Sequence, residues 1–257
     1  MVGNALGETA VVILAAGQGT RMRSERPKVL HEICGVPMLG HILSVAGEVE
    51  PARQVVVVGR EAEAVTRVAG EGATCVVQAE QKGTGHAVMV SRNILADFSG
   101  DILILYGDTP LLRASTLQRM RALKAEASAD LVMLTAEGDI PGRVVRDGEG
   151  RIERIVEAQD ASPEELALVE RNTGVYLVSS ELLWEALGKV ESGNKQGEFY
   201  LTDAFQYMVD HGSQIITAPV GGWWDAGKLE TLLETNAYLL ADQRGCIDES
   251  ATVEAAE

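Results

Sequence analysis

The sequence predicts an α/β fold in which a mixed, mostly parallel central sheet is flanked by helices. Two observations support this prediction. Short apolar runs rich in β-branched residues recur along the first half of the chain, and amphipathic stretches of helical length lie between them. Such runs are typical of strands buried on both faces of a parallel sheet. Their alternation with helices implies right-handed crossovers and a doubly wound sheet.

The first half of the chain provides most of the predicted sheet. Its first strand is the continuous apolar run AVVILAA at residues 10–16. Similar runs predict strands at 54–58, 73–77, 101–106 and 130–135. The amphipathic stretches between them predict helices at 38–49, 61–69, 84–95 and 115–127.

The second half, after residue 135, has a different rhythm. The segment GRVVRDGEGRIERIVE at 142–157 predicts a β-hairpin inserted there, with its turn at 147–150. Further elements are predicted as strands at 172–178 and 214–218 and as helices at 180–190, 201–211 and about 228–241. We expect one domain over residues 1–243, followed by an acidic tail at 244–257. That tail has too few large apolar residues to become ordered.

The composition limits the partners that the protein can bind. The chain has 257 residues, 46% of them hydrophobic, which is enough for a sizeable core. Its formal net charge is −16, so the field of the whole molecule repels nucleic acid and anionic membranes, and we expect neither as a partner. No apolar run approaches the ~18 residues of a membrane span, and the N-terminus lacks a signal-peptide pattern. A cytoplasmic location is the expectation.

A glycine-rich loop with basic residues follows the first strand. It reads LAAGQGTRM at 14–22, and Pro27 and Lys28 follow. Glycines there let backbone N–H groups approach a phosphate or a nucleobase closely. Met22 stands where a dinucleotide-binding motif has its third glycine, and no GK[ST] follows, so neither that motif nor a P-loop fits. Arg21 and Lys28 could reach the oxygens of a triphosphate, although a solvated basic turn is the alternative.

A carboxylate ends the predicted strand at 101–106. Asp108 emerges at the carboxyl end of that strand, where parallel sheets bind ligands. An unpaired carboxylate is costly there unless it faces a cation. Asp108 is therefore a candidate metal ligand, and a cap on the turn before Pro110 is the alternative.

Five motifs appear together in a fixed order: LAAGQGTRM with PKVL (14–30), QAEQKGTGHA (78–87), LYGD (105–108), NTG (172–174) and QGEFYLTD (196–203). The set resembles the uridylyltransferase (pyrophosphorylase) domain of the bifunctional bacterial enzymes that make UDP-N-acetylglucosamine, within the sugar-phosphate nucleotidyltransferases. The resemblance covers about residues 10–210. It implies a Rossmann-like nucleotidyltransferase fold, Mg²⁺ as cofactor, and UTP and N-acetylglucosamine 1-phosphate as substrates.

The resemblance also implies roles for individual residues. It divides the domain into a nucleotide-binding half at about 8–135 and a sugar-binding half at about 136–243. Arg21 and Lys28 would contact the phosphates as catalytic residues. The nucleotide would be bound by Leu14, Ala15, Ala16, Gly17, Gly19, Gln78, Gly83, Thr84, Tyr106 and Gly107, of which Gln78, Gly83 and Thr84 would meet the uracil. The sugar would be bound by Gly142, Glu157 and Asn172, and the metal by Asp108.

The residues themselves leave alternatives open for several of these roles. The amide of Gln78 can pair with the edge of uracil, but it could also be an ordinary surface glutamine. Glu157 suits hydrogen bonds to sugar hydroxyls and could instead be solvated, and Asn172 could belong to a simple turn. The four histidines, at 31, 41, 86 and 211, are not needed for the implied chemistry, and we interpret them as packing or surface residues.

The sequence departs from this family at two places. The relatives carry an asparagine as second metal ligand in a Val-Glu-Gly-Val-Asn stretch, whereas residues 220–228 read VGGWWDAGK. That segment is similar to the Trp-x-Asp-x-Gly end of glucose-1-phosphate thymidylyl- and uridylyltransferases. Asp225 is therefore the expected second Mg²⁺ ligand, with a helix cap as the alternative. The sequence also lacks hexapeptide repeats, so we expect no β-helix acetyltransferase domain, whether the chain is naturally monofunctional or was cut.

The sequence thus predicts a nucleotidyltransferase that forms UDP-N-acetylglucosamine and pyrophosphate. A uridylyl- or thymidylyltransferase for glucose 1-phosphate or another hexose 1-phosphate is the first alternative, which the WWDAG segment favours. A nucleotide-sugar sensor without turnover is the second. The sequence does not predict the oligomeric state, since the bifunctional relatives assemble through the β-helix.

Overall fold

The computed structural model describes residues 7–17, 19–59, 61–193, 196–221, 226 and 228–242. Asp225 and the acidic tail predicted at 244–257 lie outside these residues. The strands found among them are β1 Thr9–Ala15, β2 Glu32–Ile33, β3 Val36–Pro37, β4 Arg53–Val58, β5 Thr74–Val77, β6 Asp101–Tyr106, β7 Leu131–Ala136, β8 Gly142–Arg146, β9 Ile152–Val156, β10 Arg171–Ser179 and β11 Ile215–Val220. The α-helices are α1 Met38–Gly47, α2 Ala62–Ala69, α3 Thr84–Met89, α4 Ala114–Ala127, α5 Pro163–Leu166, α6 Ser180–Leu187, α7 Leu201–Asp210 and α8 Leu229–Asp242.

The central sheet is mixed and mostly parallel, which confirms the predicted fold class. Its strand order is β11-β7-β10-β6-β1-β4-β5. Strand β1 pairs in parallel with β4 and with β6, and the pairs β4–β5 and β7–β11 are also parallel. Strand β10 is antiparallel to both of its neighbours in this order, β6 and β7. The mixed character of the second half therefore comes from a strand at the middle of the sheet.

Helices cover both faces of the sheet because the side chains of its strands alternate. Val12 faces one side and Ile13 the other, and both are fully buried. On the first side the strands pack against α3, α6 and α7, where Phe205 is fully buried. On the other side they pack against α1, α2 and α4. Each buried side chain of this size stabilises the fold by about 1.5–3 kcal/mol.

The predicted hairpin after residue 135 is confirmed. Strands β8 and β9 pair antiparallel, and Asp147 and Gly150 close the turn through a backbone hydrogen bond of 3.0 Å. The helix predicted at 84–95, however, ends at Met89 as an α-helix. The buried Ser91 donates its hydroxyl to the carbonyl of Val88 at 2.7 Å, and the chain continues in i→i+3 turns.

The strand order brings the predicted site residues to one edge of the sheet. From β1 the chain proceeds to β4 and β5 on one side, whereas β6 lies on the other side. Such a reversal leaves a crevice at the carboxyl ends of the strands, where open α/β sheets bind ligands. Within the part of the chain that the structure describes, no helix combines the length and apolar character needed to cross a membrane.

Candidate active site

The loop after β1 is shaped by a glycine and anchored by a buried methionine. Gly19 has φ +61°, and a Cβ atom there would lie 2.6 Å from the Cβ of Lys28. Only glycine therefore allows the loop to pack this closely against Lys28. A short 3₁₀ helix at Thr20–Met22 follows, and its buried Met22 fixes the turn that carries the exposed Arg21.

Lys28 and Asp108 form an ion pair at the edge of the sheet where the parallel strands have their carboxyl ends. Lys28 begins a short 3₁₀ helix whose next two residues, Val29 and Leu30, are buried. Asp108 follows β6, and the N–H of Gly107 donates to the carbonyl of Leu14 at 3.0 Å, which ties that turn to β1. The ammonium of Lys28 contacts the carboxylate of Asp108, and their side chains are 15% and 9% exposed. The pair is thus held largely out of water.

Two cavities meet at this ion pair. The first, of about 480 Å³, is lined by residues 14–17, 19–21, 28–29, 78, 81, 83–84, 87, 106, 108 and 198. The second, of about 200 Å³, is lined by residues 21, 28, 106, 108–109, 140–142, 157, 172–174 and 176. Arg21, Lys28, Tyr106 and Asp108 line both. Two basic side chains, a carboxylate and an aromatic ring therefore stand where contents of the two cavities would touch.

The structure brings together nearly all described residues that the sequence singled out. The first cavity holds the predicted nucleotide-binding residues Leu14, Ala15, Ala16, Gly17, Gly19, Gln78, Gly83, Thr84 and Tyr106. The second holds the predicted sugar-binding residues Gly142, Glu157 and Asn172. Gly107 lines neither cavity, and its contribution is the backbone hydrogen bond to Leu14. Another cavity of about 480 Å³, lined in part by Arg113, Tyr238 and the end of β11, contains none of the predicted residues.

Part of the wall of the first cavity is built from two segments, around Gly83 and around Phe199, that hydrogen-bond to each other. Phe199 donates its backbone N–H to the carbonyl of Lys82 at 2.8 Å and accepts from the N–H of Gly85 at 2.8 Å. Gly83 has φ +98°, and a Cβ atom there would lie 2.6 Å from the carbonyl oxygen of Phe199. The hydroxyl of Thr84 accepts the N–H of Leu201 at 3.0 Å. The QGEFYLTD motif therefore acts here by supporting the GTG loop.

The second cavity contains a carboxylate in an unfavourable setting. Burial raises the pKa of Glu157 above its usual range, and a hydrogen bond from the hydroxyl of Thr202, at 3.4 Å, opposes that shift. The nearby Asp203 and Asp160 raise the pKa of Glu157 further. A half-buried carboxylate with one weak protein donor can accept hydrogen bonds from a hydroxylated ligand.

Asn172 lines the second cavity and also closes its own turn. Its side-chain oxygen accepts the N–H of Gly174 at 3.1 Å, and its amide nitrogen donates to the hydroxyl of Tyr176 at 2.6 Å. The turn role considered from the sequence is therefore real, and it fixes the side chain at the cavity wall. Gly142 packs against it so closely that a Cβ atom there would lie 2.9 Å from the Cβ of Asn172.

Tyr106 forms the wall shared by the two cavities. Burial raises the pKa of its phenol well above the usual range, so the hydroxyl stays protonated. Its ring lies against Gly174, where a Cβ atom would come within 2.6 Å of Cε2. The glycine of the NTG motif therefore makes room for the ring.

The described residues fit a divalent cation only in part. Within them, no group of three or more His, Cys, Asp or Glu side chains could hold a metal. The carboxylate of Asp108 is a hard oxygen ligand at the junction of the cavities, which suits Mg²⁺. Ala226, the residue after Asp225 in the chain, donates its backbone N–H to the carbonyl of Asp108 at 3.2 Å.

Some residues of the site were not expected from the sequence. Tyr176 is buried at the second cavity, and the buried Thr202 donates to Glu157, which lines that cavity. The interpretation of His86 as a packing or surface residue is incomplete. The Nδ1 atom of His86 lies 3.0 Å from the amide nitrogen of Gln78. A polar residue inside an otherwise apolar helical or strand segment was the available signal for each.

The chain is similar to nucleotidyltransferases over most of its length. Residues 11–203 match the family described as MobA-like NTP transferase domain. The chain is 50% identical over 200 residues to the bifunctional protein GlmU of Trichlorobacter lovleyi, which covers 76% of this chain and 44% of that protein. It is 47% identical over 198 residues to the bifunctional protein GlmU of Solibacter usitatus, with 75% and 42% covered. The chain thus spans less than half the length of these curated relatives.

Solved structures show the same fold at lower sequence identity. A crystal structure of UDP-glucose pyrophosphorylase complexed with UDP-glucose superimposes with a TM-score of 0.77 at 20% identity, and covers 91% of this chain and 99% of that one. An apo UDP-glucose pyrophosphorylase gives a TM-score of 0.76 at 18% identity.

Proposed function

The chain belongs to the MobA-like NTP transferase family, and from this premise we propose that it is a sugar-1-phosphate uridylyltransferase. In this proposal it forms UDP-N-acetylglucosamine and pyrophosphate from UTP and N-acetylglucosamine 1-phosphate. The relatives of 47–50% identity named bifunctional protein GlmU support this choice of reaction. Residues up to about 135 hold the nucleotide, and those from about 136 hold the sugar.

One observation carries the proposal: the two cavities share Arg21, Lys28 and Asp108 at their junction. A nucleotidyl transfer brings two anionic phosphates together, which requires positive charge where they meet. The protein as a whole has a net charge of −16, so that charge has to be local. The junction is a site with this property.

The chemistry needs little from the protein beyond positioning and charge. The second pKa of a phosphate monoester is near ~6, so the sugar phosphate is largely dianionic at neutral pH and needs no general base. Its oxygen forms a bond to the α-phosphorus of UTP in line, while the bond from that phosphorus to the pyrophosphate oxygen breaks. Arg21 and Lys28 neutralise the phosphate oxygens during this transfer.

The proposed cofactor is Mg²⁺, held by Asp108 and Asp225. When bound, it supplies Lewis-acid stabilisation of the phosphate charges. The backbone hydrogen bond from Ala226 to Asp108 supports the choice of Asp108 and Asp225 as the two ligands, because Asp225 directly precedes Ala226 in the chain. Glu157 and Asn172 hold the sugar through its hydroxyl and amide groups, and Tyr106 separates sugar from nucleotide.

Glucose 1-phosphate is the second candidate sugar substrate, and the WWDAG segment at 223–227 favours it. Release of pyrophosphate from UTP and Mg²⁺, measured with each sugar phosphate in turn, distinguishes the two. We expect a higher kcat/KM with N-acetylglucosamine 1-phosphate. No turnover with that compound, together with turnover of glucose 1-phosphate, would replace the first candidate by the second. Binding of UTP without turnover of any sugar phosphate would indicate a sensor.

A further inference from the structure

We propose that His86 is a positioning residue that fixes the amide of Gln78 so that the nucleobase pocket selects a base with a ring N–H donor. Among the pyrimidine bases, uracil and thymine carry such a donor and cytosine does not. The inference rests on the proposed function for the identity of the pocket. Its evidence is a set of hydrogen bonds in the protein itself.

The orientation of the Gln78 amide follows from its first neighbour. One end of this amide lies 3.1 Å from the carbonyl oxygen of Gly83. A carbonyl oxygen only accepts hydrogen bonds, so the atom facing it is the amide nitrogen, Nε2. Gln78 is 3% exposed, and a reversed amide would place two oxygens against each other away from water.

The role of His86 follows from that orientation. The same Nε2 atom of Gln78 lies 3.0 Å from Nδ1 of His86. Since Nε2 is a donor, Nδ1 accepts, and the ring proton of the neutral imidazole is on the other nitrogen, Nε2 of His86. The backbone next to His86 is held in place, because the N–H of Gly85 donates to the carbonyl of Phe199, and the Phe199 ring lies beside that of His86 with centroids 6.4 Å apart.

Both amide hydrogens of Gln78 are therefore used inside the protein. The side chain lines the first cavity, and the atom that it can offer to a ligand there is Oε1, an acceptor. Uracil and thymine carry a ring N–H between two carbonyls, which can donate to this oxygen. At the same ring position cytosine has a lone pair, which would face the lone pairs of Oε1.

The first test measures base selectivity. His86→Leu keeps a side chain of similar size but removes the acceptor, so the amide of Gln78 is held by the carbonyl of Gly83 alone and turns more readily. We expect the ratio of kcat/KM for UTP to that for CTP to fall about tenfold, the effect of one hydrogen bond. The KM for the sugar phosphate should stay unchanged. His86→Asn, whose side-chain oxygen occupies the place of Nδ1, should restore most of the ratio.

A matched control is available directly after α7, at His211. The Nδ1 atom of His211 lies 2.8 Å from the carbonyl of Tyr207, outside both cavities. His211→Leu should leave the ratio of UTP to CTP unchanged. An unchanged ratio in His86→Leu as well would overturn the proposal, and so would an equal loss with both nucleotides that His86→Asn does not repair.

The second test does not depend on turnover. In ¹⁵N spectra of the imidazole rings in alkaline buffer, His86 should carry its proton on Nε2. His211 should carry its proton on Nδ1, because Nδ1 faces a carbonyl. A proton on Nδ1 of His86 would contradict the inference.

Binding of UMP and CMP, measured by calorimetry without metal or sugar, gives the same selectivity readout. If His86→Leu reduces a preference for UMP in a protein that lacks turnover, this inference holds and the proposed function fails.

Discussion

The ammonium of Lys28 is paired with the carboxylate of Asp108 in the described structure, although the two residues are predicted to act on different partners. Lys28 is expected to contact phosphate and Asp108 to bind the metal. Both side chains are largely buried, and removing one partner of a buried pair leaves an uncompensated charge. The pair itself therefore has no net charge before ligands enter, and Arg21 adds a positive charge beside it. Metal binding at Asp108 would release Lys28 towards the phosphates.

The first prediction concerns this competition. Lys28→Met should strengthen the binding of Mn²⁺ to the free protein several-fold, because the carboxylate of Asp108 loses its competing cation. Turnover should fall by about 10²–10³, because a preorganised charge at the phosphates is lost. Electron paramagnetic resonance of free Mn²⁺ measures the binding, and pyrophosphate release measures the turnover.

The control for Lys28 is a basic residue in the same loop. Arg26 pairs with Glu32 at 2.9 Å, and both side chains are about half exposed. Arg26→Met should change neither Mn²⁺ binding nor turnover appreciably, since exposed pairs contribute ~0–1 kcal/mol. If Lys28→Met weakened Mn²⁺ binding, the competition would be refuted.

The second prediction isolates the carboxylate. Asp108→Asn removes the charge that a hard cation requires but keeps the size of the side chain. Turnover should fall by at least about 10². Binding of UTP in the presence of a chelator should persist, since Arg21, Lys28 and the glycine loop remain. Turnover equal to that of the unaltered protein would remove Asp108 from the mechanism.

Much of the fold could be predicted from the sequence, because buried strands appear as continuous apolar runs and their order implies crossovers. Strand β1 was expected at 10–16 and is found at Thr9–Ala15. The short hairpin of β2 and β3 gave no such signal, since each strand has two residues and one contains Pro37. Helix α3 ended early because Ser91 bonds to the backbone, a competition that apolar periodicity does not report.

Site residues that directly follow a strand could be predicted from the sequence, whereas contacts between segments distant in the sequence could not. Gln78 and Asp108 lie at the ends of β5 and β6, so their place at the carboxyl edge followed from the pattern. The contact of His86 with Gln78 depends on how α3 sits on that edge. The support of the GTG loop by Phe199 depends on a segment more than a hundred residues away. Such contacts come from tertiary packing, which periodicity cannot reveal.

The third prediction concerns pH. Burial raises the pKa of Glu157, so the folded protein holds this proton to a higher pH than the unfolded chain does. Between the usual value of about 4.3 and the folded pKa, the unfolded chain binds fewer protons, and the free energy of unfolding falls as pH rises. Above the pKa of Glu157 in the folded protein, the full cost of burying its charged carboxylate lowers the free energy of unfolding. Glu157→Gln should therefore unfold at a higher urea concentration at pH 7 and show a smaller fall in stability between pH 4 and 7.

The same substitution should harm function. Loss of the charged acceptor should raise the KM for the sugar phosphate about tenfold, as for one hydrogen bond to a charged group. Glu153→Gln is the control, because Glu153 lies exposed on the same strand, β9. Its urea midpoint and KM should match those of the unaltered protein. A lower urea midpoint for Glu157→Gln at pH 7 would contradict the assigned effect of burial.

The fourth prediction compares two glycines with the same backbone strain but different surroundings. Gly174 has φ +86° and Gly150 has φ +81°, so alanine is strained by about 1 kcal/mol or more at either position. At Gly150 an added Cβ atom meets nothing within 4 Å, whereas at Gly174 it would come within 2.6 Å of the ring of Tyr106.

Gly150→Ala should lower the free energy of unfolding slightly and leave kcat/KM unchanged. Gly174→Ala should cost more stability, because the ring has to move. It should also lower kcat/KM about tenfold or more, because a small misplacement of the wall between two reactants has effects of this size. Urea unfolding and pyrophosphate release test both variants. Equal kcat/KM values for them would show that the position of Tyr106 does not matter for the reaction.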